Sequence, residues 1–115
     1  MSDLFYYDGR ETDNKGFYDY EYDVIFINAY LDDIDKKKVL YHEMGHVGQY
    51  LENYERMKEK FEAQADRNMI HHLLKEYLTT LDDISDFNVY RFMELYRLKT
   101  ICNEQMIIDE LNNFI

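Results

Sequence analysis

Five side chains, Phe61, Ala65, Met69, Leu73 and Tyr77, recur at intervals of four in a chain that contains no proline. That spacing lines them along one stripe of an α-helix and predicts a long helix over about 57–81. A helix with one apolar stripe must bury it against other elements. Two more helical patterns follow a polar break at 82–86. Val89, Phe92, Met93 and Tyr96 predict a third helix, and Met106, Ile107, Leu111 and Phe114 a fourth. A first helix is expected to run to about Leu51. Asp32 or Asp33 can cap it, and Asp35 adds negative charge to its first turn.

Before residue 31 the pattern changes. Val24-Ile25-Phe26-Ile27 is a β-branched and aromatic run closed by Asn28, the clearest strand signal in the chain. Leu4–Tyr7 and Gly16–Tyr22 read as short strands on either side of a polar loop, Asp8–Lys15. The expected class is α+β, a small antiparallel or mixed sheet at the N-terminus followed by a helical bundle. One domain is expected over 1–115, strand-rich over 1–30 and helical over 31–115. A hydrophobic share of 46% is enough for a core, and twelve Tyr without a Trp suit half-buried positions.

A net charge of −11 opposes sequence-independent nucleic-acid binding, which depends on Lys and Arg neutralising phosphates. It also disfavours anionic membranes and would attract a basic segment of a partner protein. The single cysteine, Cys102, cannot form an internal disulfide, and no nearby His equips it as a nucleophile. Met1-Ser2-Asp3-Leu4 lacks the basic and apolar runs of an export signal, and no window approaches the roughly 18 apolar residues of a membrane span. A cytoplasmic protein with no direct nucleic-acid or membrane partner is expected.

The chemistry is concentrated in His42-Glu43-Met44-Gly45-His46. Four residues apart on a helix, His42 and His46 share a face within reach of one metal ion, with Zn²⁺ as the expected metal. Glu43 sits beside them, placed to take a proton from a water activated by the metal. Catalytic zinc normally takes three protein ligands, and the downstream candidates are Glu62, Asp66, His71 and His72. If the first two helices form an antiparallel hairpin, His46 and Glu62 lie symmetrically about Tyr54, as do His42 and Asp66. Each eight-residue arm spans roughly 12 Å of helix, so both pairs return to common levels. Glu62 is therefore the expected third ligand, and Asp66 is expected to hold the outer nitrogen of His42. A continuous helix would instead separate His46 and Glu62 by roughly 24 Å. His71 and His72 diverge by about 100° on a helix and cannot both face the site. Tyr41 or Tyr50 is expected to border the cleft.

Val24–Asn28, Val39-Leu40-Tyr41-His42-Glu43-Met44-Gly45-His46, Lys60-Phe61-Glu62-Ala63-Gln64-Ala65-Asp66 and Phe87–Leu98 together resemble the ImmA/IrrE family of metallopeptidases. The resemblance is to the small phage and mobile-element members and spans about residues 16–115. It implies a gluzincin-like minimal metallopeptidase with zinc held by His42, His46 and Glu62, and Glu43 as catalytic base. It implies a sheet whose edge strand lies beside the cleft. It also implies a protein or peptide substrate, helix-turn-helix repressors being the family's better-known ones. Gln64 departs from the pattern, standing where the family often has Glu.

The expected function is zinc-dependent endopeptidase cleavage of a peptide bond, with an extended substrate segment adding to an exposed edge such as Val24–Ile27. Two alternatives come from other classes. One is a catalytically weak or inactive metal-binding module that sequesters a repressor or another basic partner. The other is a metal-free interaction protein whose acidic surface contacts a basic partner.

Overall fold

The computed structural model describes residues 2–98 and 101–115, apart from the side chains of 101–103, so the Cys102 thiol lies outside the described part. Three strands, β1 (Asp3–Tyr7), β2 (Gly16–Asp19) and β3 (Val24–Asn28), precede four helices. The helices are α1 (Asp33–Met44), α2 (Tyr54–Leu78), α3 (Val89–Leu95) and α4 (Ile101–Asn112), with short 3₁₀ turns at 51–53 and 84–86. The class is α+β. The chain divides into two compact units, 1–69 and 70–115.

In the first unit the sheet order is β1-β3-β2, with β1 parallel and β2 antiparallel to β3, so the sheet is mixed. This corrects the expectation that Val24–Ile27 is an exposed edge. As the most apolar strand, β3 takes the centre, where both neighbours satisfy its backbone. The available edge on the antiparallel side belongs to β2. That strand stops at Asp19 because the Asp19 carboxylate turns back to accept the Glu21 and Tyr22 amides, leaving Tyr20 and Tyr22 outside the ladder. Ile25 and Ile27 point to the buried face, and α1 packs on β3 and β2. Asn28 is buried as well. Its amide donates to the Gly9 and Asn14 carbonyls and its oxygen accepts from the Tyr30 amide, which ties the 8–15 loop to the sheet.

The first helix starts as its sequence predicts, with the Asp32 side chain accepting from the Asp35 amide at 2.8 Å. It ends at Met44 rather than near Leu51. Beyond Met44 the hydrogen bonds tighten to a three-residue span, His46 N–H to Glu43 and Val47 N–H to Met44. Gly48 then adopts φ +86, a left-handed conformation suited to glycine, and the chain turns back through 49–53. The next helix begins at Tyr54 and kinks at Met57, where φ is −110 and ψ 16. Phe61, Ala65 and Met69, the first half of the apolar stripe, are buried.

In the second unit the stripe continues with Leu73, joined by Ile70 and Leu74, all fully buried. Phe92, Tyr96, Leu98 and Ile107 complete this core. Tyr77, Phe87, Phe92 and Tyr96 form a ring cluster with centroids 5.1–6.4 Å apart. The long helix stops at Leu78, short of 81, where the Thr79 and Thr80 hydroxyls bond back to the Glu76 and Tyr77 carbonyls. His71 stacks on Phe114, and its Nδ1 lies 3.2 Å from the Glu110 carboxylate, which accepts from it. Among the described residues, no helix is long and apolar enough to cross a membrane.

Candidate metal centre

His42 lies in the last turn of α1, and His46 lies just beyond it, on the tightened turn that follows. The sequence places both on a regular helix. The 3₁₀-like turn nevertheless keeps the two imidazoles adjacent, with ring centroids 5.1 Å apart. Glu62 and Asp66 come from α2, one turn apart. The reversal through 45–53 brings the two segments together as the symmetry about Tyr54 requires. His46 Nε2 is 2.9 Å from Glu62 Oε2, His42 Nε2 is 3.4 Å from Glu62 Oε1, and His42 Nδ1 is 2.9 Å from Asp66 Oδ1.

Close approach of the two segments depends on Gly45. A Cβ at that position would stand 2.6 Å from the Ala65 Cα and 3.1 Å from the Asn68 Cβ. Asn68 completes the seam by donating to the Tyr41 carbonyl at 2.7 Å.

Each histidine is oriented from behind. His42 donates its Nδ1–H to Asp66, and His46 donates its Nδ1–H to Gln49 Oε1 at 2.8 Å. Gln49 is itself fixed, its amide donating to the Phe61 carbonyl and to Gln64 Oε1. Gln49 was not picked out by the sequence, because its role depends on the turn that follows His46.

With Nδ1 engaged by Asp66 and by Gln49, each imidazole presents its Nε2 to the Glu62 carboxylate. Glu62 Oε2 is buried without a hydrogen-bond partner, although it lies 2.9 Å from His46 Nε2. Two ring nitrogens and a carboxylate oxygen thus converge on one point, an arrangement that a cation satisfies. One donor atom each from His42, His46 and Glu62 lie within 4.8 Å of one another. Two ligands of a tetrahedral zinc with bonds of 2.0–2.1 Å stand ~3.3 Å apart, so the donor set fits that ion.

Glu43 adjoins the cluster. Burial raises its carboxyl above the usual carboxylate range, with Glu62 adding to the rise, while His42, His46 and the Tyr18 backbone amide pull it down; the net direction is up. Burial pulls His42 down, but Asp66, through its hydrogen bond and its charge, and then Glu43 and Glu62, outweigh it and raise the imidazole overall.

The cleft beside Glu43, His46 and Glu62 has a volume of about 400 Å³ and walls of Phe17, Tyr18, Tyr20, Leu51 and Tyr54. Neither Tyr41 nor Tyr50 lines it. Tyr50 is 72% exposed on the turn, and the aromatic wall comes from β2 and the start of α2 instead. Burial first, and then the charge and hydrogen bond of Glu62, hold the Tyr54 hydroxyl above the usual phenol range. His71 lies in the second compact unit, against Glu110 and Phe114, and neither it nor His72 belongs to the metal-ligating cluster.

The family model described as the IrrE N-terminal-like domain, of the M78 peptidases, matches residues 3–99. No curated protein and no solved structure matches significantly.

Proposed function

The chain belongs to the M78 peptidase family, and on that premise we propose that it is a zinc-dependent metallo-endopeptidase. The observation that carries this reading is the convergence of His42 Nε2, His46 Nε2 and a donor-less Glu62 oxygen beside Glu43. In the proposal, His42, His46 and Glu62 hold the metal, and Asp66 and Gln49 fix the two imidazoles. Zinc bound there supplies Lewis-acid polarisation of a peptide carbonyl and acidifies water toward pH 7.

Glu43 is the general base. Its raised carboxyl suits a group that must take a proton from the attacking water and return it to the leaving amine near neutrality. The Tyr18 amide of β2 holds the Glu43 carboxylate from the side of the sheet. Because the same strand forms the edge beside the cleft, an extended substrate segment is accommodated along β2 rather than β3.

The proposed substrate is a protein, and a helix-turn-helix repressor of a phage or mobile element is the specific candidate. Support for it comes from the ImmA/IrrE resemblance and from a charge of −11, which suits a basic partner. Incubating the zinc-loaded protein with the repressor encoded beside its gene, and reading fragments by mass spectrometry, tests the reading directly. Glu43→Gln should retain zinc and abolish the fragments. Fragments persisting with Glu43→Gln in a metal-clean preparation would refute the mechanism. A Glu43→Gln protein that still inactivates the repressor in cells would assign the chain to sequestration instead.

A further inference from the structure

On one face of the sheet α1 packs over β3 and β2, and the other face bears a row of aromatic rings. Phe5, Phe26 and Phe17 are in register across the three strands, with centroids 5.7 and 4.8 Å apart, and Tyr7 approaches Phe17 at 6.2 Å. Phe5 remains 57% exposed and Phe17 43%. Exposed apolar residues scattered singly need no explanation, but a contiguous row of rings does. Strand alternation places Asp3, Val24 and Asp19 in the adjacent row of the same face, so two carboxylates flank the rings. Residues 1–31 carry seven acidic side chains (Asp3, Asp8, Glu11, Asp13, Asp19, Glu21, Asp23) against two basic ones, Arg10 and Lys15. Arg10 is paired with Asp8.

We propose that this face is a docking surface for a basic amphipathic helix of a partner protein. Three strands at ~4.8 Å spacing and five residues in length form a platform about 10 Å by 17 Å, the footprint of one helix of about eleven residues. A helix laid across one side of a sheet is the usual way such a face is covered. Apolar side chains of the helix meet Phe5, Phe26 and Phe17. Its Arg or Lys residues meet Asp3 and Asp19 and the ring faces, where cations are favoured. A second copy of this chain is a poor occupant, since it would bring −11 against −11. Phe17 belongs both to this row and to the wall of the cleft, so the docked helix reaches the mouth of the metal centre. The surface does not depend on whether that centre cleaves.

The test uses the full chain and three labelled helical peptides of about fourteen residues, read by fluorescence anisotropy. One carries Leu on one face and Arg on the other, one has Glu for Arg, and one has Ser for Leu. The Leu/Arg peptide should bind, and the other two should bind at least about tenfold more weakly. Phe5→Ser should weaken the Leu/Arg peptide about fivefold and Asp3→Asn about twofold. Both substitutions lie on β1, away from the cleft, and should leave zinc content and circular dichroism unchanged, which separates this proposal from the metal reading. Equal binding of the Leu/Arg peptide by wild type and a folded Phe5→Ser protein overturns it. So does a wild-type dimer at micromolar concentration that Phe5→Ser dissolves, since a second copy then covers the face.

Discussion

Twenty-four residues separate His42 from Asp66 in the chain, yet His42 Nδ1 lies 2.9 Å from Asp66 Oδ1. A carboxylate behind a ligating imidazole fixes its tautomer and raises the basicity of the opposite nitrogen. Asp66→Ala should therefore weaken zinc binding by about 10–100-fold, and Asp66→Asn by less, because an amide oxygen still accepts. Titration against a chelating dye measures this. Wild-type affinity in Asp66→Ala would show that the pair does not act on the metal site.

Gln49 performs the corresponding task for His46 with a neutral acceptor. Gln49→Leu should likewise cost about 10–100-fold in zinc affinity, whereas Gln49→Glu should recover part of it, since a carboxylate still accepts the Nδ1–H but sets its second oxygen against the Phe61 carbonyl. The two variants are isosteric enough that a general folding defect would weaken both. Rescue by Glu alone is the informative result.

The contrast between these two partners shows how far the sequence could be read. Asp66 was legible because it lies one turn beyond Glu62 on a periodic helix, and helical spacing carries across a hairpin. Gln49 was not, because it sits on the irregular turn after Met44, where the chain leaves the 3.6-residue repeat on which such readings depend. The same limit explains the misplaced end of α1. The apolar run of Val24–Ile27 identified a strand correctly, but its place in the sheet depends on pairing with β1 and β2, which its own residues do not encode. The Tyr residues of the cleft were hidden for a related reason: Tyr18 and Tyr20 reach it from the β2 segment and Tyr54 from the start of α2.

The buried Glu62 oxygen without a hydrogen-bond partner marks the point at which a cation is expected to bind. Adding zinc should raise the melting temperature of the wild type, and a chelator should reverse the rise, because the ion binds the folded state in preference to the unfolded one. Glu62→Gln should abolish the zinc-dependent rise. Calorimetry with and without zinc checks both halves. A Glu62→Gln protein that keeps the zinc-dependent rise would show that Glu62 does not hold the metal.

Gly45 is predicted to be intolerant of any side chain. A methyl group there meets the Ala65 backbone at 2.6 Å, and backbone cannot swing aside as a flexible side chain can. Gly45→Ala should cost about 1–3 kcal/mol in urea unfolding and weaken zinc binding, since it pries apart the segments carrying His42 and Glu62. Gly48→Ala is the control. It meets nothing within 4 Å and should cost only the strain of φ +86, about 1 kcal/mol, with less effect on the metal. Equal losses of zinc affinity from both would locate the sensitivity in the turn rather than in the seam.

The Tyr18 hydroxyl donates to Asp23 Oδ1 at 2.7 Å, and Ser2 donates to the same oxygen at 2.6 Å. Burial, followed by the Asp23 hydrogen bond and charge, pushes the Tyr18 hydroxyl up to about 12, against the ordinary phenol value of 10.0. Because the folded value is raised, the stability this group contributes is fully present below pH ~10 and falls as pH climbs toward ~12, where the unfolded chain releases its proton first. Tyr18→Phe removes the hydrogen bond and should cost about 1 kcal/mol near neutrality. The deficit should shrink steadily between pH ~10 and pH ~12, as the wild type loses an advantage the variant never had. Urea midpoints of the two proteins across that range decide the matter. A gap that stays constant with pH would mean that Tyr18 titrates alike in the folded and unfolded chains, and that its contact with Asp23 does not hold the proton.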